Sequence, residues 1–118
     1  MIVFVYGSLK KGKKLYYYLK NAKFLGNAVT CDKYPLIFSK SGWYPYLLDK
    51  KGEGKKVKGE VYKISPKLLK ILDRLEEVPH YYKRKKICVK LNNKTLKAYT
   101  YFAVKKYNFT KRMCLEEF

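Results

Sequence analysis

The distribution of apolar positions along the chain predicts several short strands and one clear helix. The opening run, residues 1–6, is apolar throughout, which is typical of a buried strand that stops at Gly7. Residues 57–64 alternate with a period of two, so one face of this strand is apolar and the other polar. Further elements are predicted as a helix or helical turn at 14–21, strands at 24–30 and 34–39, an extended edge at 42–48, and a hairpin of strands 87–91 and 96–104 around Asn92-Asn93-Lys94. The pattern indicates a mixed sheet, curled or closed, with a few helices.

The clearest helix spans residues 65–77. Ser65 is a favourable N-cap, Pro66 suits the first helical position, and Pro79 prevents continuation. At about 100° per residue, the leucines and isoleucine of this segment share one arc, and Glu76 falls inside that arc. Glu77 falls on the polar side. The pattern therefore predicts one carboxylate directed towards the core, where it must be paired or protonated. The alternative is that Glu76, at the helix end, reaches out to a lysine.

The chain is strongly basic: 28 lysines and arginines face 9 aspartates and glutamates, for a formal net charge of +19. Such a field attracts nucleic acid, acidic membranes or anionic substrates. The lysines occur in small dispersed groups, such as Lys10-Lys11 and Lys55-Lys56, without a basic tail or arginine-rich arm. We interpret them as a solvated face. A nucleic-acid-binding barrel that uses some of the thirteen tyrosines as stacking platforms is the alternative.

The numbers of histidines and cysteines limit the classes of enzyme to which the chain can belong. His80 is the only histidine, which argues against most zinc hydrolases and against Ser–His or Cys–His hydrolases that need more than one imidazole. Cys31, Cys88 and Cys114 are odd in number and lack Cys-x-x-Cys spacing, so we interpret each as a small buried hydrophobe. We expect no metal or cofactor. The first apolar run is too short to span a membrane and lacks the charged start of a signal peptide, so residues 1–118 are predicted to form a single cytoplasmic domain.

Three motifs follow one another in order along the chain. They are Tyr6-Gly7-Ser8-Leu9 after the first strand, Gly59-Glu60-Val61-Tyr62 in the alternating strand, and the segment 72–84 with its Leu-Asp-x-x-Glu-x-x-Pro-x-x-Tyr-x-Arg pattern. This ordered set resembles the gamma-glutamyl cyclotransferase-like family, closest to its gamma-glutamylamine cyclotransferase branch. The segment 44–48 resembles a looser fourth element. Glu77 departs from the small residue that many relatives carry there, and the C-terminal tail finds no clear counterpart.

The resemblance implies an α+β fold: a small mixed β-barrel with flanking short helices. It also implies an activity, in which an amine is released from a gamma-glutamyl amide while the glutamyl part cyclises to 5-oxoproline. Glu76 would be the catalytic residue, and the loop of Tyr6, Gly7, Ser8 and Leu9 would hold the glutamyl group. Tyr82 and Tyr101 are candidates for lining the substrate pocket, although each is more often structural.

This chemistry agrees with the residues available. The substrate's own α-amine attacks its γ-carbonyl, so the protein needs no nucleophile of its own. One carboxylate can accept the ammonium proton and later return it to the leaving amine, if apolar surroundings raise its pKa. The amides around Gly7 would bind the α-carboxylate or the developing oxyanion. Three leaving groups stay open: a lysine ε-amine, a small alkylamine, and a peptide such as Cys-Gly. A non-catalytic, ligand-binding role also stays open, and the sequence does not indicate the oligomeric state.

Overall fold

A computed structural model describes all 118 residues, Met1–Phe118, as seven strands, one α-helix and two short 3-10 helices. In chain order the elements are β1 (Ile2–Val5), a first 3-10 helix (Tyr16–Tyr18), β2 (Lys23–Tyr34), β3 (Leu36–Phe38), β4 (Pro45–Leu47), β5 (Lys55–Lys63), α1 (Pro66–Leu75), β6 (Tyr82–Leu91), β7 (Lys94–Ala103) and a second 3-10 helix (Lys111–Met113). The α-helix has ten residues, and none of the helices has both the length and the apolar character that crossing a bilayer requires.

Five of the strands close into a barrel in the order β1-β5-β2-β6-β7. All neighbouring pairs are antiparallel except β1 and β7, whose parallel pairing at Val3 and Tyr99 completes the barrel. Strands β3 and β4 form a separate two-stranded sheet. The predicted class, a small mixed β-barrel with flanking short helices, is confirmed.

Strand β1 belongs to two hydrophobic cores, which explains why its sequence is apolar at every position. Phe4 points into the barrel interior, where it joins a cluster of twelve buried residues. Val3 and Val5 point outward into a second cluster, which includes Leu69 and Leu72 of α1. A strand buried on both faces shows a continuous apolar run rather than an alternation.

The helix begins as the sequence predicts. Ser65 Oγ accepts a 3.1 Å hydrogen bond from the Leu68 amide, and Pro66 occupies the first turn. Leu69 and Leu72 are buried against the barrel. The confirmed N-cap and apolar face therefore fix where the C-terminal end of α1 lies.

Two predicted elements differ from the structure in extent. The helix or helical turn expected at 14–21 is a 3-10 helix limited to Tyr16–Tyr18, because this segment follows the surface of the loop and buries only Leu19 fully. Strand β6 starts at Tyr82, five residues earlier than the apolar pattern suggests. Residues 82–86 each have a β7 partner, so backbone pairing extends the hairpin through a basic stretch that hydrophobicity alone does not mark.

The interpretation of Cys31 and Cys88 as separate buried hydrophobes is wrong. Their sulfur atoms are joined in a disulfide between β2 and β6, with the Cα atoms 5.4 Å apart. The antiparallel register, which pairs Thr30 with Val89, brings the next residues of the two strands opposite each other. Cys114 is a free buried thiol, as predicted.

Candidate active site

A cavity of about 960 Å³ opens beside the end of β1. It is bounded by the loop after β1, the C-terminal end of α1, the start of β6, the end of β7 and the segment that leads into β4. Every site residue predicted from the sequence lines it: Tyr6, Gly7, Ser8, Leu9, Glu76, Tyr82 and Tyr101. Residues up to 95 positions apart in sequence therefore meet at one place, while their individual roles stay predictions.

Glu76 is the C-cap of α1, and the backbone around it forms a complete helix-ending motif. Glu77 has a φ of 52°, its amide donates to the Arg74 carbonyl, and the Val78 amide donates to the Asp73 carbonyl. These two bonds with a left-handed residue after the cap define a Schellman motif. Glycine usually takes the position that Glu77 occupies. The motif turns the chain sharply, so that Glu76 and Glu77 both border the cavity.

The Glu76 carboxyl lies in apolar surroundings without a basic partner. No salt bridge or side-chain hydrogen bond involves it, so the alternative of a lysine partner is wrong. Burial raises the pKa of Glu76 from its ordinary value of 4.5 to about 7. Near neutral pH this carboxyl can therefore both accept and donate a proton.

The loop after β1 uses its carbonyl groups internally and leaves its amides free. The Gly7 carbonyl accepts from the Lys10 amide at 3.0 Å, and the Ser8 carbonyl accepts from the Leu15 amide at 2.8 Å. The N–H groups of Gly7, Ser8 and Leu9 make no hydrogen bond within the protein. Successive free amides of this kind are suited to binding an anion.

Gly7 is required by space rather than by backbone conformation. A Cβ atom at this position would lie 2.9 Å from Cδ and 3.0 Å from Cγ of Pro45. The rigid proline ring of β4 thus packs directly against the loop backbone. This contact sets the position of the free amides relative to the cavity.

Two charged residues hold the far end of the loop. Glu60 Oε1 accepts hydrogen bonds from the Lys11 amide at 2.8 Å and from the Tyr62 hydroxyl at 3.0 Å. Lys10 is only 6% exposed, and its ammonium donates to the Phe118 carbonyl at 2.7 Å. Lys10 is therefore an exception to the solvated lysine face, and the tail serves to hold the loop.

The three candidate tyrosines differ in how their hydroxyl groups are used. The Tyr6 hydroxyl donates to the Tyr101 carbonyl at 2.7 Å, and the Tyr101 hydroxyl donates to Asp73 Oδ1 at 2.8 Å. The Tyr82 hydroxyl makes no hydrogen bond within the protein, so it is available to a ligand. Burial, and next the nearby Glu76 carboxylate, raises the pKa of Tyr82, which keeps this phenol protonated as a donor. Asp73 also pairs with the Arg84 guanidinium, so Arg84 does brace the end of α1.

Sequence reasoning missed one wall of the cavity. Its aromatic and basic members are Lys14, Trp43, Tyr44, Tyr46, Tyr81, Lys105 and Tyr107. The aromatic segment around Trp43 was predicted only as an extended edge, and the segment after β7 carried no recognisable pattern. The concentration of aromatic residues in Trp43-Tyr44-Pro45-Tyr46 was the available signal in the sequence.

Comparison with known proteins identifies the family. Residues 3–116 match the family model described as gamma-glutamyl cyclotransferase, AIG2-like. The chain is 40% identical over 94 residues to gamma-glutamylaminecyclotransferase A of Danio rerio, covering 75% of this chain and 58% of that protein. It is 36% identical over 95 residues to the Homo sapiens gamma-glutamylaminecyclotransferase, covering 76% of this chain and 62% of that protein.

The fold agrees with this comparison. The crystal structure of an AIG2-like protein from Mus musculus aligns with a TM-score of 0.87 at 25% identity, over 99% of this chain and 86% of that one. The chain therefore belongs to the gamma-glutamyl cyclotransferase, AIG2-like family. It spans less than two thirds of the length of the Danio rerio and Homo sapiens relatives.

Proposed function

We propose that this protein is a gamma-glutamyl cyclotransferase that converts a gamma-glutamyl amide into 5-oxoproline and a free amine. One observation carries the proposal: Glu76, whose pKa burial raises to about 7, shares a cavity with the unpaired amides of residues 7–9. The family membership agrees with it. A proton-transfer group and an anion-binding loop in one enclosed space are what this reaction requires.

Glu76 would act first as base and then as acid. The ionised carboxyl accepts a proton from the substrate's α-ammonium, and the freed amine attacks the γ-carbonyl of the same molecule. When the tetrahedral intermediate collapses, the protonated carboxyl returns a proton to the departing nitrogen. A group whose pKa is near 7 serves both steps at neutral pH. The tethered attack supplies the proximity that a separate nucleophile would otherwise provide.

The loop would bind and polarise the glutamyl part. Free amides of Gly7, Ser8 and Leu9 suit either the α-carboxylate or the oxyanion that develops on the γ-carbonyl. The Tyr82 phenol would add a further donor from the opposite side. Tyr6 and Tyr101 contribute differently, since their hydroxyl groups already bind within the protein; they hold the loop and the end of α1 in register.

The direct test is an assay of 5-oxoproline release from a panel of gamma-glutamyl compounds, with the parent protein and Glu76→Gln side by side. The panel includes the lysine ε-amide, a small alkylamide and glutathione. We expect turnover of at least one compound, and a loss of about 10²–10⁴-fold in Glu76→Gln, because the amide cannot transfer the proton. Binding of these compounds without release of 5-oxoproline by the parent would support a non-catalytic protein instead. Equal rates for the two proteins would contradict the role of Glu76.

A further inference from the structure

The glutamyl group needs only one end of the cavity. Glu76 and the loop amides border a cavity of about 960 Å³, which is near the upper limit for sites that bind drug-sized molecules. The remaining space is lined mainly by aromatic side chains that the proposed chemistry does not use. A substantial group attached to the γ-nitrogen would have to occupy it.

Two of these aromatic rings are unusually open. Trp43 is 66% exposed and Tyr81 is 65% exposed, and both border the cavity. Most tryptophan side chains are well buried, so neither ring serves mainly to stabilise the fold. Behind them Tyr46 and Tyr107 stack at 4.3 Å between centroids, with an interplanar angle of 15°. This wall offers flat apolar faces, which are suited to a planar group.

Positive charge accompanies the aromatic wall. The Lys14 ammonium lies 4.6 Å from the centroid of Trp43, and the Lys105 ammonium lies 5.4 Å from that of Tyr107. Neither lysine forms a salt bridge with a carboxylate of the protein. The border of the cavity carries one exposed carboxylate, that of Glu77. Two unpaired ammonium groups beside flat rings suit a ligand that is both aromatic and anionic.

We propose that the amine released by this protein carries an aromatic ring and a carboxylate, so that gamma-glutamyl aromatic amino acids are its preferred substrate class. This inference rests on the proposed cyclotransferase function. The bond between the γ-carbon and the departing nitrogen breaks, and a bond from the α-nitrogen to the γ-carbon forms. The α-ammonium loses two protons as it becomes the lactam N–H, and the departing nitrogen gains two, so the amino acid leaves with an ammonium group. The products are 5-oxoproline and a free aromatic amino acid, and no co-reactant is needed.

The test uses three matched substrates. Gamma-glutamyl-phenylalanine has both features, gamma-glutamyl-phenethylamine lacks only the carboxylate, and gamma-glutamyl-alanine lacks only the ring. We expect kcat/KM for the first to exceed that of the second by about five- to tenfold, since two partly exposed lysines contribute modestly. It should exceed that of the third by about three- to tenfold through ring contacts. Equal kcat/KM values within either comparison would overturn the corresponding part of the proposal.

Substitutions test which residues cause the preference for the carboxylate and the preference for the ring. Lys14→Met combined with Lys105→Met should reduce the ratio of kcat/KM between gamma-glutamyl-phenylalanine and gamma-glutamyl-phenethylamine to about one. The matched control removes the same charge at Lys94 and Lys97, which lie outside the cavity. If the control weakens the preference equally, the overall charge of the protein explains it and the two named lysines do not. Tyr81→Ala should reduce the preference for the ring; a full preference in that variant would contradict the contact.

A binding measurement separates this inference from the proposed function. Trp43 is the only tryptophan, so its fluorescence should report occupation of the aromatic end. Titration of Glu76→Gln with the three compounds should give the same order of affinity as the kcat/KM values of the parent. Absence of 5-oxoproline with this order of binding would reject the cyclotransferase function and retain the specificity. Release of 5-oxoproline with no preference in binding or rate would reject the specificity alone.

Discussion

The Tyr101 hydroxyl donates a 2.8 Å hydrogen bond to Asp73, three residues before Glu76 on the same helix. Asp73 also pairs with the Arg84 guanidinium, which comes from β6. A single carboxylate thus joins β7, β6 and the end of α1. Through it, the helix end that carries Glu76 is fixed to the barrel at two points.

Replacement of Asp73 by alanine should therefore be much more harmful than removal of the Tyr101 hydroxyl. Asp73→Ala leaves the partly buried Arg84 charge unpaired and should reduce the free energy of unfolding by about 2–4 kcal/mol. Tyr101→Phe keeps the Asp73–Arg84 pair and should cost about 1 kcal/mol. Urea unfolding of both variants and of the double variant measures the coupling. Additive losses in the double variant would show that the two side chains act independently.

The raised pKa of Glu76 predicts the shape of the pH–rate profile. In the free enzyme the carboxyl must be ionised to accept a proton, so kcat/KM should rise about tenfold per pH unit below pH 7. Above pH 7 it should level off until the substrate's ammonium group titrates. Steady-state rates from pH 5 to pH 9 test this, with samples returned to pH 7.5 to confirm full recovery. An acidic limb near pH 4.5 would contradict the buried state of the carboxyl.

The same shift predicts that Glu76 destabilises the fold at neutral pH. Its pKa is higher in the folded state than in the unfolded state, so its stabilising contribution is complete below pH 4.5 and is lost as the pH rises to about 7. Glu76→Gln cannot ionise and loses nothing. The free energy of unfolding of this variant, relative to the parent, should therefore increase by about 2–3 kcal/mol between pH 5 and pH 8. Urea unfolding at both pH values measures it, and Glu77→Gln, at the exposed neighbouring position, is the control.

The contact between Gly7 and Pro45 predicts a sharp difference between two adjacent substitutions. Gly7→Ala places a methyl group 2.9 Å from the proline ring, so the loop or β4 must move. We expect a loss of about 1–3 kcal/mol in stability and at least about tenfold in kcat/KM, because the amides are displaced. Ser8→Ala, which removes a hydroxyl with no partner in the protein, should be mild. Similar losses from both changes would indicate that side chains, rather than amides, bind the substrate.

The disulfide between Cys31 and Cys88 predicts redox-dependent stability. The two cysteines are 57 positions apart, and a crosslink across a loop of that length is worth about 4 kcal/mol in the chain-entropy description. Urea unfolding with and without dithiothreitol should show a decrease of about 2–4 kcal/mol on reduction. The Cys31→Ala, Cys88→Ala double variant should not respond to the reductant. An unchanged midpoint in the reduced parent would mean that the strands hold together equally well without the bond.

The sequence contained enough information to predict features that depend on local pattern. Helical periodicity placed Glu76 on the apolar arc, and the structure gives it an apolar environment. The N-cap at Ser65 and the end of β1 at Val5, shortly before Gly7, follow from residue preferences that act over a few positions. Because β1 is paired with the β6–β7 hairpin in the barrel and α1 packs against their outer face, these local features were sufficient to bring most candidate residues together.

Features that depend on long-range pairing could not be predicted. The position of Cys31 opposite Cys88 follows from the register of β2 and β6, which the sequence leaves undetermined. Glu60 accepts a hydrogen bond from the Lys11 amide, 49 residues away, and nothing in the local sequence pattern indicates that contact. Lys10 looked solvated because buried lysines are rare, and its partner in the tail has no sequence signal.

The two-sided burial of β1 has a consequence for how the substrate is received. Amide hydrogen exchange along this strand should require opening of both the barrel interior and the layer beneath α1, so protection should approach that of global unfolding. The loop that follows β1 is therefore attached to one of the most rigid parts of the molecule. A ligand would bind to a preformed loop, and discrimination between ligands would depend on complementarity of shape rather than on closure of the loop around them.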